Sequence, residues 1–308
     1  MPNIIARYTH WLHTQWPAGG VEKGPGVHDD GTTNLKGVRV VGDLTGVPLL
    51  KFSADTGAKA VTEILAESDF KPGAGNSTAV YDLVIVGAGV SGISAAIEAK
   101  KARLNFVIYE ADESFATIHN FPRKKPIFTY PTEMKNAGEL HFEADVKEAL
   151  LIELKAQQAE HGIETTRAKV QHISRTGGVL AVEFAKGEPA KAQRVIVAIG
   201  RTGNFRKLNV PGEGMDKVSN RLIDAGEHAG QKVMVVGGGD SALEAAVALS
   251  EAGATVALSY RKESFSRAKP DNVEQIQALA DEGKLTLYMG TNLQEINENT
   301  VVVCGGDD

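Results

Sequence analysis

The stretch YDLVIVGAGVSGISAAIEAKKARLNFVIYE, Tyr81 to Glu110, constrains the fold more than any other part of the chain. A short apolar run leads straight into glycines, an amphipathic helical pattern follows, and a second apolar run ends on Glu110. Strand, tight turn, helix and strand make a βαβ unit, which commits its surroundings to a parallel sheet with helices on its faces. The turn reads Gly87-x-Gly89-x-x-Gly92. The first glycine of such a turn allows a sharp bend, and the second lets a pyrophosphate approach the backbone. The third lets the helix lie close to the strand, with the helix N-terminus facing the phosphates. By itself the pattern is weak. Glu110, 18 residues beyond Gly92, strengthens it by placing a carboxylate where adenosine ribose hydroxyls can donate.

The device is repeated in KVMVVGGGDSALEAAVALSEAGATVALSYRK, Lys232 to Lys262. Gly237, Gly239 and Ala242 occupy the three turn positions, and Ser241 opens the helix. Here the second strand ends without an acid and is followed by Arg261, Lys262 and Arg267. Ribose hydroxyls call for a carboxylate, whereas a 2'-phosphate calls for cations, Arg offering a bidentate fork. The second unit is therefore expected to take NADPH in preference to NADH; the competing reading is a solvated basic turn. Acid in the first unit and base in the second suit two different nucleotides, FAD and NADPH.

Around these units the patterns are shorter. A long helix is expected from about Gly138 to His161, then strands in AKVQHISR, VLAVEFA and QRVIVAIG, and a helix near Asn272 to Asp281. The closing TVVVCGGDD reads as the first arm of a hairpin whose return strand is missing. Pro/Gly clusters make residues 1–36 loop-like, and the Gly/Ser/Pro-rich stretch 66–80 reads as a linker. The expected organisation is an N-terminal segment 1–65, the linker 66–80, a first nucleotide domain 81–215 and a second one 216–308, truncated at its end.

Composition removes several classes of function. The net charge of -6 leaves no basic footprint for nucleic acid. No window reaches 18 uncharged apolar residues and the N-terminus lacks a secretory pattern, so no membrane segment is expected and the location is read as cytoplasmic. His10 and His13 stand three apart beside Trp11 and Trp16 without a third ligand nearby, so no metal site is assigned. The one cysteine, Cys304, rules out an intrachain disulfide or dithiol pair.

Together these motifs resemble the flavoprotein pyridine nucleotide oxidoreductases: low-molecular-weight thioredoxin reductases, their ferredoxin-NADP reductase relatives and the bacillithiol-disulfide-reductase-like proteins. The similarity runs from about Tyr81 to the end. VGAGVSG with Glu110 is similar to the FAD motif, VIVAIG ending at Gly200 to the strand leaving the flavin domain, and VVGGGDSALEAA with YRKESFSR to the NADPH motif. NFP at Asn120 and TYPTEM at Thr129 are similar to the segment beside the isoalloxazine in the bacillithiol-type members. VVGD, with Gly42 and Asp43, is similar to the third flavin motif, whose aspartate binds the ribityl and pyrophosphate region. In that family the motif closes the chain; here it precedes both nucleotide units.

The resemblance implies an α/β fold of two Rossmann-like dinucleotide-binding domains, for FAD and NAD(P)H, with the C-terminal flavin motif moved to the N-terminus. A fragment carrying the tail of an upstream module would give the same order. The implied cofactor-binding residues are Gly42, Asp43, Gly87, Gly89, Gly92, Glu110, Asn120 and Gly200 for FAD, and Gly237, Gly239, Ser241, Arg261, Lys262 and Arg267 for NADPH. No catalytic acid, base or nucleophile is nominated, although His119 lies next to the flavin-loop segment.

The departures bear on the reaction. The thioredoxin reductase C-x-x-C is absent, and Ser91 stands where bacillithiol-type proteins carry a cysteine. The expected activity is therefore an FAD-dependent NADPH oxidoreductase whose acceptor is a ferredoxin-like protein, a quinone-like small molecule or another domain; a homodimer is compatible with it. The alternatives are a redox-inactive nucleotide-binding sensor or scaffold, and an incomplete fragment of a larger flavoprotein.

Overall fold

The computed structural model describes residues 25–73, 80–201 and 207–305, which fall into two compact units divided between 201 and 207. The His10/His13 pair, residues 74–79 of the expected linker and the last three residues lie outside the described ones.

In the first unit the strands are β1 (Val38–Val40), β2 (Tyr81–Val86), β3 (Phe106–Glu110), β4 (Thr166–Arg167), β5 (Val170–Thr176), β6 (Val179–Phe184) and β7 (Ala190–Val197). The long helices are α1 (Leu50–Ala66), α2 (Val90–Lys101) and α3 (Lys147–Glu160). One sheet runs β4-β3-β2-β7-β6-β5. The pairs β4-β3, β3-β2 and β2-β7 are parallel; β7-β6 and β6-β5 are antiparallel. The far edge of β7 is shared: Ala190–Ala192 pairs with β6, and Val195–Val197 pairs in parallel with β1. Parallel strands covered on both faces need apolar residues throughout, and β2 meets that requirement. Its Leu83 and Ile85 face one core with Ile93, Ile97 and Ile64 of the helices. Its Val84 and Val86 face another with Val38, Leu180, Val182 and Val195.

Helices α1 and α2 cross almost in contact. A Cβ on Gly57 would lie 2.1 Å from the Ser91 carbonyl oxygen. Beside the crossing, buried Ser94 donates its hydroxyl to the Ala54 carbonyl at 2.7 Å.

On β1 and β7, two buried guanidiniums share one acid. Arg39 of β1 donates to Glu63 at 2.5 Å and to Glu67 at 3.0 Å, while Arg194 of β7 donates to Glu67 at 2.6 Å and Asp69 at 2.5 Å. A hydrogen bond from Lys36, then the charge of Arg194, holds the Asp69 carboxyl below its ordinary value. The stability that this shift contributes is present above the ordinary aspartate pKa and is lost as pH falls through the lower folded value. Glu67→Ala is expected to cost about 2 kcal/mol in a urea titration, less than a wholly orphaned buried charge because Glu63 and Asp69 remain. An unchanged midpoint would show that these two acids suffice.

The helix expected over 138–161 begins only at Lys147. Gly138 has φ +91°, and the segment after it stays out of the helix, its backbone donors taken by α3 side chains. His141 N–H bonds Gln157 Oε1 at 2.8 Å, and Glu143 and Ala144 N–H bond the Glu153 carboxylate at 2.9 Å each.

The second unit contains β8 (Lys232–Val236), α4 (Asp240–Glu251), β9 (Thr255–Tyr260), α5 (Pro270–Asp281) and β10 (Leu285–Met289) in a parallel sheet of order β10-β9-β8. Leu243, Ala246 and Leu249 of α4 pack with Ile276 of α5 over Val256 and Leu258 of β9. The expectation that the last strand lacks its partner is corrected here. β12 (Val301–Cys304) is itself the return arm of an antiparallel hairpin with β11 (Asn292–Ile296), closed by the Asn297 N–H to Thr300 carbonyl bond of 2.8 Å. Among the described residues no helix is long and apolar enough to cross a membrane.

Candidate functional site

Because β1, β2 and β3 all run parallel to β7 or to its neighbour, their carboxyl ends open on one edge of the first sheet. That edge is where ligands bind in open parallel α/β sheets. The hydrogen bonds closing it are Val41 N–H to Val197 O at 3.0 Å, Ala198 N–H to Val86 O at 2.7 Å and Gly87 N–H to Tyr109 O at 2.8 Å. They bring Gly42, Gly87, Gly200 and Glu110 to strand ends on the same side.

The three glycines of the first turn differ in what requires them. Gly87 has φ +105° and a Cβ there would lie 2.5 Å from the Ala198 carbonyl oxygen; one on Gly92 would lie 1.9 Å from the Gly87 oxygen. A Cβ on Gly89 would meet nothing within 4 Å. The fold needs the outer two, and the middle one keeps open space in front of the helix. Gly89 is also the N-cap of α2 and makes no side-chain cap, which leaves first-turn N–H groups for an anion. Glu110 ends β3 beside the turn, where Oε2 accepts from Ala88 N–H at 2.6 Å and Oε1 from Asp112 N–H at 2.9 Å. Its carboxylate is thereby fixed in orientation and retains acceptor capacity.

Downstream, buried Phe115 at φ +60° returns its N–H to Ala88 O at 3.0 Å and starts a helical turn, Ala116–His119. His119 Nδ1 is paired with Glu113, which also receives Lys155. Asn120 follows as the C-cap, its N–H on Ala116 O, and its side chain makes no hydrogen bond among the described residues. The structure therefore groups Gly87, Gly89, Gly92 and Glu110 tightly, and the Phe115 N–H bond to Ala88 O joins the turn that ends at Asn120 to the same glycine loop.

Gly42 and Asp43 arrive by a different route. Gly42, at φ +74°, sits where a Cβ would be 2.6 Å from Ser91 Oγ, inside the first glycine turn. Its N–H donates to Thr56 Oγ1 at 2.9 Å, and Asp43 Oδ1 accepts from Ser53 Oγ at 2.8 Å. The N-terminal half of α1 thus clamps the Gly-Asp turn against the start of α2. Sequence reading missed Ser53, Thr56 and Gly57; their signal was the run of small residues in FSADTGA.

The second unit repeats the arrangement with a looser third position. A Cβ on Gly237 would lie 3.0 Å from the Ala242 Cβ, whereas one on Gly239 would meet nothing within 4 Å. Gly239 caps α4 without a side-chain bond, and Ser241 is exposed in the first turn. Between those glycines, a Cβ on Gly238 would lie 2.3 Å from the Tyr260 ring. Tyr260 stacks on Phe265 at 5.4 Å, and so ties the segment bearing Arg261, Lys262 and Arg267 to the glycine turn. All three cations are exposed. Asp240 adds a second tie, accepting from Lys269 N–H at 2.7 Å and Asn272 Nδ2 at 2.8 Å.

Comparison with known proteins bears on the family and the fold. A family model described as pyridine nucleotide-disulphide oxidoreductase matches residues 84–306. The chain is similar to a ferredoxin–NADP reductase of Ignicoccus hospitalis, 30% identical over 198 residues that make up 63% of this chain and 61% of that one. It is also similar to the bacilliredoxin reductase Bdr of Bacillus subtilis, 26% identical over 235 residues, 73% of this chain and 71% of that one. Its fold is shared with the bacillithiol disulfide reductase Bdr of Staphylococcus aureus, at TM-score 0.60 and 23% identity, covering 74% of each chain. The chain spans 61% and 64% of the lengths of two ferredoxin–NADP reductases that it matches.

Proposed function

This chain belongs to the pyridine nucleotide-disulphide oxidoreductase family, and from that premise we propose that it is an FAD-dependent NADPH oxidoreductase. The observation carrying the proposal is the convergence at one sheet edge of an uncapped helix N-terminus, an open glycine, a fixed carboxylate at Glu110 and a clamped aspartate at Asp43. FAD and NADPH, when bound, supply hydride transfer between nicotinamide and isoalloxazine, and the flavin's electrons pass on to an acceptor. The chain's own residues bind and orient. Gly89 and the first turn of α2 receive the pyrophosphate of FAD, Glu110 accepts from its adenosine ribose, and Asp43 accepts from its ribityl hydroxyls. In this reading β1 and α1 are the family's third flavin motif, written ahead of the rest of the domain. In the second unit Gly239 and the start of α4 receive the NADPH pyrophosphate, and Arg261, Lys262 and Arg267 meet its 2'-phosphate.

Thiol content bears on the acceptor. The one cysteine, Cys304, is exposed on β12 and has no second thiol in this chain with which to form a dithiol pair. A ferredoxin-like protein is the preferred acceptor, supported by the name of the Ignicoccus relative.

The deciding experiment is the visible spectrum of the protein supplied with FAD, before and after anaerobic NADPH. Retained flavin bands that bleach are the expected result; a protein that keeps no flavin overturns the proposal. Arg261→Ala is expected to raise the Kd for NADPH about tenfold while leaving NADH within twofold, because only NADPH carries the 2'-phosphate. Equal losses for both coenzymes, read by titration, would remove Arg261 from the phosphate site.

A further inference from the structure

The turn that carries Asp43 is held by two hydroxyls whose geometry does more than complete a helix. Ser53 is buried at 6% exposure and donates to Asp43 Oδ1 at 2.8 Å. Thr56, three residues on, accepts the Gly42 N–H at 2.9 Å, its own proton lying within reach of the Phe52 and Ser53 carbonyls at 3.0 and 3.1 Å. Residues three apart share a face of a helix, so both hydroxyls reach the same turn. Ser53 anchors one carboxylate oxygen. Among the described residues no hydrogen bond reaches Oδ2. Such a carboxylate cannot rotate freely, yet retains an oxygen with which to accept.

We propose that Ser53 and Thr56 are positioning residues for FAD, presenting the Asp43 carboxylate in its binding orientation before the ligand arrives. The inference rests on the assignment of Asp43 to the flavin site. Without the two hydroxyls, the ligand must order the Asp43 side chain and the Gly42 amide as it binds, a cost that preorganisation removes. The effect is confined to the flavin half of the ligand. AMP spans only the adenosine end, where Glu110 and the glycine turn suffice.

Ser53→Ala and the near-isosteric Thr56→Val test this by titration of the full chain with FAD and, separately, with AMP. Each substitution is expected to raise the Kd for FAD about tenfold, the size of a lost hydrogen bond to a charged or oriented group, and to leave AMP within twofold. A Kd for FAD within twofold of the parent in both variants overturns the inference, and so does a parallel loss of FAD and AMP affinity, which would mark both residues as scaffold. Failure of the parent chain to bind FAD defeats the proposed function and this inference together. A parent that binds with variants that bind equally well defeats only the inference.

Discussion

Asp43→Ala is expected to lower FAD affinity by about a hundredfold or more while leaving the fold intact. A carboxylate accepting two hydroxyls makes two charge-assisted hydrogen bonds of about 1.5 to 3 kcal/mol each, and every 1.4 kcal/mol is about tenfold in Kd. In the free protein the one hydrogen bond this side chain makes among the described residues is from buried Ser53, so its removal should cost about 1 to 2 kcal/mol of stability, too little to unfold the chain. The variant should therefore remain folded with a modestly lowered melting temperature and lose flavin on gel filtration. Measuring bound flavin per chain alongside thermal unfolding checks both halves. Full flavin content would reduce β1 and α1 to a scaffold and withdraw the assignment of VVGD to the flavin site.

Gly57→Ala is expected to cost about 3 kcal/mol of stability, the upper part of the range for overpacking a tight contact. The new methyl group would lie 2.1 Å from the Ser91 carbonyl oxygen, and that oxygen belongs to the backbone of α2, so no side-chain rotation relieves the clash. The helices must separate, which moves the Gly42–Asp43 turn away from the glycine loop. Flavin affinity should fall along with stability. Gly89→Ala is the matching control: with nothing within 4 Å of the added methyl and φ at -76°, it should unfold at the parent's urea midpoint yet bind FAD poorly. A Gly57→Ala midpoint equal to that of the parent would mean that the crossing adjusts without strain.

These predictions differ in what could be read from the chain alone. The glycine turns were legible because their demands are local: each lies between a buried strand and a helix within one βαβ unit, and Glu110 follows at a set distance. The basic run after β9 was legible for the same reason. The start of α3 was not, because Gln157 and Glu153 capture the backbone of the preceding residues through side chains more than one helical turn into α3. The final hairpin was misread because a strand's pattern does not say which neighbour it pairs with. Asp43 could be named by resemblance, but its neighbours Ser53 and Thr56 were ordinary small residues until α1 was laid across α2.

By itself the sequence determined two βαβ units, the glycines that shape them, the acid that ends the second strand of one and the cations that follow the second strand of the other. Periodicity and turn chemistry act over a few residues, and they leave their record in order. Only the tertiary structure decided that Val38–Val40 pairs with Val195–Val197 across more than half the chain, on the half of the β7 edge that β6 leaves free. Such a pairing depends on which edge is open and which helix faces can approach through Gly57, and no local pattern encodes either.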